Sequence, residues 1–453
     1  MPVSGAQQDL QRHIYLRSAT ALVIANVIGA GVFTTTGFQA ADLGNPTIIL
    51  CLWLVGGVLA YCGALCYAEL GAAMPHAGGE YIYLRETYGR AFGFMSAFVS
   101  LIAGFSAPIA AAVKSLVLYL KAFFPILETD PVLVGTLHLT DLAAIILVWF
   151  LVAVHICGKK GAMKFNDIVT LLKVGGIIAI ILAAILIGDG KLENFSYVSD
   201  FYGEMPPSAL FTAMATSLIF IMFCYSGWNA AAYVASEIVN PQKTLPKALL
   251  LGTTIVTVLY LLLNSVYFYG ANVDELAGKV EVGLVASRQL FGNWGSGLVV
   301  MVLVVSLLAS ASAMTIAGPR VYYALGKDIW KLRVLTRTND GGAPVNALLL
   351  QGTMASLIIL SGNVGQILSY AGFTLALMSA LAVSCVIVLR FKRPDMERPF
   401  RVWAYPLPPL FFLIVSIWTM YWAFQGRPVE STLALLTVAA GGGIFFLAAL
   451  LRR

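Results

Sequence analysis

Apolar stretches of about 20 residues follow one another along almost the whole chain, about twelve of them, with no polar region long enough for a soluble domain between them. A stretch of that length crosses the hydrocarbon core of a bilayer as a helix. Lipid supplies no hydrogen-bond partners, so each crossing helix must satisfy its own backbone groups. Composition agrees: 59% of residues are hydrophobic and 11% charged, where a soluble domain carries about 25% charged residues. The expected fold is therefore an all-α membrane protein.

The spans are expected at 15–39, 46–72, 91–120, 139–157, 163–187, 207–239, 245–270, 294–326, 344–360, 366–391, 405–424 and 431–451. The distribution of positive charge tests this count. With the amino terminus in the cytoplasm, 21 of the 28 Lys and Arg fall on the cytoplasmic side and 5 on the other. Lys114 and Lys173 lie inside spans. One span more or fewer would scramble every later loop, so the asymmetry supports both count and orientation. The net charge of +6 thus reports topology and gives no argument for nucleic acid. The polar residues 1–12 precede a full-length span, so no cleaved signal peptide is expected. None of the six cysteines falls in an outer loop, so no extracellular disulfide is expected.

Two spans are interrupted. The first contains Asn26-Val27-Ile28-Gly29-Ala30-Gly31-Val32-Phe33 and the sixth Phe223-Cys224-Tyr225-Ser226-Gly227-Trp228-Asn229. Glycine weakens a helix, and unwound backbone at membrane depth survives only where it is buried in protein or lines a cavity. The breaks lie five spans apart. Five is odd, so a second five-span repeat enters the membrane inverted, a known plan for transporters with paired broken helices. The expected organisation is a cytoplasmic tail at 1–14, a first repeat at 15–187, an inverted repeat at 207–391, and two further helices at 405–451.

These stretches resemble the amino acid–polyamine–organocation superfamily of transporters, close to bacterial amino acid permeases and the L-type branch. Ile28-Gly29-Ala30-Gly31-Val32-Phe33 is similar to its Gly-small-Gly motif. The stretch Tyr67-Ala68-Glu69-Leu70, with Pro75, Gly78-Gly79-Glu80-Tyr81 and Tyr83 to Gly89, is similar to its signature inner loop. Tyr225-Ser226-Gly227-Trp228-Asn229 is followed by Glu237, Asn240-Pro241 and Leu245-Pro246 as in that family. The resemblance implies a leucine-transporter-type core of ten helices with two added at the carboxyl end. It implies that the Ile28–Gly31 stretch, through backbone groups of Gly29, Ala30 and Gly31, holds a substrate carboxylate. It implies that the second break, Phe223 to Gly227 with Tyr225 among them, holds the α-amino group through carbonyls of Phe223, Cys224 and Ser226. Dipole chemistry agrees, since helix N-termini favour anions and C-termini cations. Phe223 also matches an aromatic position that closes over substrate in L-type members.

Lys173 is the sharpest single residue. A lysine at bilayer depth costs at least about 2.5–3.5 kcal/mol. Nine residues from Lys164 place it roughly 13 Å along the helix, too deep for easy snorkelling. The resemblance implies that it stands where sodium sits in sodium-coupled relatives, touching the first break and Ser310, with Ser306 and Ser312 nearby. Lys114 is expected to snorkel, His155 to be interfacial, Glu69 and Glu237 to pair with loop arginines or cap loops, and Pro319 to kink the eighth span.

No Walker loop, dinucleotide fingerprint or clustered His and Cys is present, so no cofactor or metal is expected. A membrane enzyme would need a catalytic dyad at the bilayer surface, and a channel a polar pore lining. The expected function is sodium-independent transport of L-amino acids by alternating access at the plasma membrane, as an exchanger of small neutral substrates. Proton symport and transport of cationic amino acids or polyamines remain alternatives. Animal L-type exchangers pair with an ancillary glycoprotein through a cysteine after the third helix. Residues 121–140 contain none, so no disulfide-linked subunit is expected.

Overall fold

The computed structural model describes residues 12, 14–76, 78–135, 137–157, 161–328, 330–339 and 342–450, without the side chains of 161–170 and a few near 324–331 and 448–450. The first span is two helices, α1 (Leu16–Val27) and α2 (Thr35–Leu43), separated by irregular backbone and a 3₁₀ turn at Gly31–Phe33. α3 (Pro46–Ala73) starts with proline at its first position, and Asn45 accepts from the Ile48 N–H at 3.2 Å, a proline and a cap where helix starts favour them. α4 (Glu80–Tyr88) lies between spans. α5 (Arg90–Leu120) contains a π-helical segment at Ser100–Ser106. α6 (Leu139–Cys157) and α7 (Gly161–Ile187) follow.

The sixth span is again split, into α8 (Pro207–Tyr225) and the short α9 (Ala230–Tyr233). Then come α10 (Pro241–Gly270), α11 (Val282–Asp328), α12 (Val345–Ser361), α13 (Val364–Lys392), α14 (Leu407–Gly426) and α15 (Pro428–Leu450). One-turn and 3₁₀ segments and an antiparallel pair, Val132–Val134 with Leu137–His138, occupy the connections. Among the described residues nine helices are long and apolar enough to cross a membrane, and three shorter apolar ones join them at Leu16–Val27, Leu171–Ile187 and Val345–Ser361.

Helix bounds fall within a few residues of the expected spans, with one clear exception. α11 begins at Val282, twelve residues before its expected start, and its non-helical residue is Gly292 (φ 66°, ψ −173°), not Pro319. The backbone at Gly292 is open to glycine and strained for other residues, whereas Pro319 costs a single helical bond inside a long helix. α5, α8 and α13 bury 61% of their most apolar windows, against 28% for α14 and α15. α8 carries the second break and α5 lies against it, while α14 and α15 leave most of their surface uncovered by the chain.

Candidate functional site

Both breaks exist and they touch. α1 ends where Ile28 leaves helical geometry (ψ 97°), and α8 ends where Ser226 turns extended (ψ 141°). Gly227 then takes φ +99° with the Asn26 carbonyl against its α-carbon, and a methyl group there would sit 3.0 Å from that carbonyl. A methyl group on Gly31 would come within 2.4 Å of Cys224 Sγ. Cys224 Sγ in turn lies 3.5 Å from Thr35 Oγ1. The hydroxyl of Tyr260, on α10, donates to the carbonyls of Val27 (2.7 Å) and Cys224 (3.0 Å), and so joins the C-terminal ends of both interrupted helices.

Between the breaks lies a small, narrow cavity. Gly29, Ala30, Gly31, Phe223, Cys224 and Ser226 line it. Asn26 and Val27 continue its α1 wall, and Pro108 and Ala112 from α5 and Ser310 and Met314 from α11 complete it. Among the described residues, the N–H groups of Ala30 and Gly31 donate to no protein acceptor. Free N–H groups at the start of a 3₁₀ turn and helix form an anion cradle. Across the cavity, the Cys224 carbonyl at the end of α8 carries the opposite partial charge.

Three of the residues expected at the site stand behind its wall. The Ile28 side chain is buried, and its carbonyl accepts from Ser310 Oγ at 3.2 Å. Tyr225 points the other way and donates to the Trp53 carbonyl at 3.3 Å. Gly227 packs on Asn26. Gly29, Ala30 and Gly31 line the wall in succession, whereas the side chains of Ile28 and Tyr225 are turned into the packed protein behind it. Tyr225 and Ser226 instead reach a second cavity with Gly56 of α3, Ser379 of α13 and Phe412 of α14, so Ser226 is common to both. Pro108, Ala112, Met314 and Tyr260 carry no sequence signal that would have placed them here, beyond the polar tip of Tyr260 in an apolar run.

Lys173 is 1% exposed. Its ammonium donates to the Ala25 carbonyl at 2.9 Å and to Ser310 Oγ at 3.0 Å. Ser306, by contrast, bonds its own helix at the Val302 carbonyl (2.7 Å), and Ser312 bonds His155. Lys173 therefore links α7, α1 and α11 directly behind the first break.

Other polar residues depart from expectation. Lys114 does not snorkel: its ammonium meets Asp141 Oδ1 (2.7 Å) and the carbonyls of Ile359 (3.0 Å) and Gly362 (2.8 Å) at the end of α12. A carboxylate and a helix C-terminus together hold a cation better than the headgroup region offers. His155 is buried, with Nε2 3.0 Å from Ser312 Oγ. Glu69 does pair with arginines, accepting from Arg390 at 2.5 and 3.0 Å, with Arg398 3.5 Å away and the Val402 N–H at 2.8 Å. The described part of Glu237 includes its carbonyl, which accepts from the Ile14 N–H at 3.0 Å.

Glu80 opens α4, and its buried carboxylate accepts from Tyr67 Oη (2.6 Å) and Asn229 Nδ2 (2.9 Å). Burial pushes this carboxyl up from the ordinary carboxylate range, and the two hydrogen bonds oppose that shift.

Comparison with known proteins agrees with this architecture. The chain is similar to the large neutral amino acids transporter small subunit 2 of Mus musculus, 26% identical over 446 residues that cover 98% of this chain and 82% of the relative. It is similar to the cystine/glutamate transporter of Homo sapiens, 28% identical over 452 residues (98% and 87%). It is also similar to the b(0,+)-type amino acid transporter 1 of Mus musculus, 28% identical over 445 residues (97% and 88%). The family model described as amino acid permease matches residues 14–446. With nearly its whole length matched and its helices built to cross a bilayer, the chain belongs to the amino acid permease family of the amino acid–polyamine–organocation superfamily and is a multi-pass membrane transporter, not an enzyme.

Proposed function

We propose that this permease carries small neutral L-amino acids through the cavity between the two breaks, by alternating access and without sodium, as an exchanger. The observation that carries the reading is the pair of free N–H groups of Ala30 and Gly31 in the wall of a small cavity. They suit a carboxylate, and the carbonyl end of α8 suits the ammonium of the same zwitterion. No wall residue carries a carboxylate, which favours neutral over cationic substrates. The close approach of Cys224 to Gly31 keeps the wall tight and favours small side chains.

Sodium independence rests on Lys173, whose ammonium binds an α1 carbonyl and an α11 hydroxyl. The resemblance to the superfamily implies that a cation takes such ligands in its sodium-coupled members. Proton symport is the second reading, because both acceptors of Lys173 are neutral and neither holds its proton by charge. Residues 15–187 and 207–391 form the two repeats that rock about the site, the site sits in the plasma membrane, and both termini are cytoplasmic. The relatives include proteins named as small subunits, but the loop at 121–140 offers no cysteine for a disulfide to a partner.

The test is uptake of radiolabelled L-alanine into sodium-free proteoliposomes, with and without internal amino acid and with an imposed proton gradient, for the wild type and Lys173→Ala. Exchange predicts uptake only against internal amino acid. Uptake driven by the proton gradient and uncoupled in Lys173→Ala would replace exchange with symport. Failure to carry any of the 20 amino acids, in vesicles where a control permease works, would overturn the assignment of the cavity.

A further inference from the structure

The Glu80 carboxylate braces the turn that carries Ser226 from outside the cavity. It takes the Asn229 amide at 2.9 Å, three residues beyond Ser226, and the Tyr67 hydroxyl at 2.6 Å. Tyr67 also packs edge-on against Trp228, ring centroids 4.6 Å apart, so the same tyrosine bears on both ends of the short segment 228–229. The Gly78 N–H donates to the Tyr233 carbonyl at 3.2 Å, and Tyr233 Oη lies 3.4 Å from Asn229 Nδ2. The chain just ahead of α4 is thereby tied to α9. Ser226 and Gly227 between these ties take extended and left-handed backbone that no helix stabilises. Isolated turn bonds, from the Ser226 N–H to the Phe223 carbonyl (2.9 Å) and from the Trp228 N–H to the Tyr225 carbonyl (3.3 Å), shape the segment locally, and its neighbours fix where it sits.

We infer that Glu80 is a positioning residue for the Ser226–Asn229 turn, so that the connection ahead of α4 sets the affinity of the cavity for its substrate. The inference rests on the reading of that cavity as the amino acid site. A carboxylate suits this work because one of its oxygens accepts from two donors at once. Burial excludes water that would otherwise compete for Asn229. Glu80 never touches the cavity wall, so its effect on substrate must pass through the turn.

The experiment compares wild type, Glu80→Ala, Glu80→Gln, Asn229→Ala and the double variant Glu80→Ala/Asn229→Ala in full-length protein reconstituted in liposomes. L-Alanine exchange supplies KM and maximal rate. In a second series, all six native cysteines are replaced and Ser226→Cys is introduced, and the rate of its modification by a membrane-permeant methanethiosulfonate reports the turn directly, with no substrate present.

Glu80→Ala is expected to raise KM about tenfold, the effect of losing one buried hydrogen bond that leaves its partner unsatisfied, and to speed labelling at position 226 several-fold. Glu80→Gln should stay within about twofold of wild type, because one amide oxygen accepts both bonds. The double variant should be no worse than Glu80→Ala, since both changes remove one interaction. A merely structural role would lower the amount of folded protein and leave KM and labelling of the folded fraction unchanged, which overturns the inference. Glu80→Gln as impaired as Glu80→Ala would also overturn it, showing that charge and not position is what the site uses. Unchanged alanine transport with altered labelling keeps the positioning of the turn and removes its link to substrate. Absence of transport in the wild type strikes the site assignment instead, and the labelling series still decides whether Glu80 holds the turn.

Discussion

The two halves of the first span face opposite fates. α1 buries three of its twelve residues, Ala19, Val23 and Val27, a single stripe at a spacing of four. α2 buries six of nine, and these include Thr35, Thr36 and Gln39. Thr36 Oγ1 bonds Asn264, Gln39 accepts from the Trp53 indole at 2.9 Å, and the Gly37 carbonyl accepts from the Gly278 N–H at 2.8 Å. The more polar half is the more enclosed. In a membrane the surroundings are as apolar as leucine, so hydrophobicity does not sort inside from outside, and small or polar residues mark the packed faces. α2 is thus built into the protein on most sides, whereas α1 is attached along one line and at a few points: the Lys173 bond to Ala25, the Tyr260 bond to Val27, and the backbone pairing of Ile14 with residues 237–239 just ahead of it. If one half moves during transport, it is α1.

The largest expected effect comes from prying α2 loose. A methyl group on Gly37 would lie 1.8 Å from the Lys279 carbonyl oxygen, so Gly37→Ala must separate α2 from the 271–281 loop. Overpacking of this kind costs about 1–3 kcal/mol or more, and exchange in proteoliposomes should fall by about two orders of magnitude. Gly29→Ala, on the α1 side, meets nothing closer than 3.8 Å and should leave the amount of folded protein unchanged. Normal exchange by Gly37→Ala would show that α2 is not fixed.

Tyr260→Phe comes next. Its loss leaves two buried carbonyls without their shared donor, a cost of about 1–3 kcal/mol. The expected outcome is a lower thermal midpoint and a roughly tenfold weaker substrate affinity. An unchanged midpoint would mean that water replaces the hydroxyl and that the two breaks are not joined by it.

The smallest effect is expected from Ile14→Pro, which removes the donor to the Glu237 carbonyl, one backbone bond worth about 0.5–1.5 kcal/mol. Hydrogen exchange followed by mass spectrometry should show faster exchange across 16–27 and none across 35–43. In the unaltered protein, amides of 16–27 should already exchange faster than those of 35–43. Equal protection of the two segments would erase the contrast between the halves.

Much of the architecture was legible in the sequence because it rests on two strong signals, the length of apolar runs and the glycines that interrupt them. Those signals located the helices and both breaks. They were silent about which face of each helix is packed, which is why Tyr225 was expected on the wall that Ser226 shares and Tyr260 was not expected at all. Charged and polar residues inside spans were found but not paired. Lys114 was assigned to the headgroups because its partners, Asp141 and the end of α12, lie 27 and some 245 residues away in the chain. A separation of 149 residues likewise hid Asn229 from Glu80. Pro319 is a stronger sequence signal for a bend than Gly292, yet a proline needs only one lost bond, while φ +66° with ψ −173° favours a residue without a β-carbon.

The Tyr260 hydroxyl has one hydrogen and two claimants. A proton shared between the Val27 and Cys224 carbonyls is given fully to neither. When either helix end draws back, the remaining acceptor takes the whole bond and is held more firmly. The two interrupted helices are therefore rivals for a single tether, and loosening one fastens the other. A protein that must never open both of its doors together has, in that one hydrogen atom, a zero-sum constraint between them.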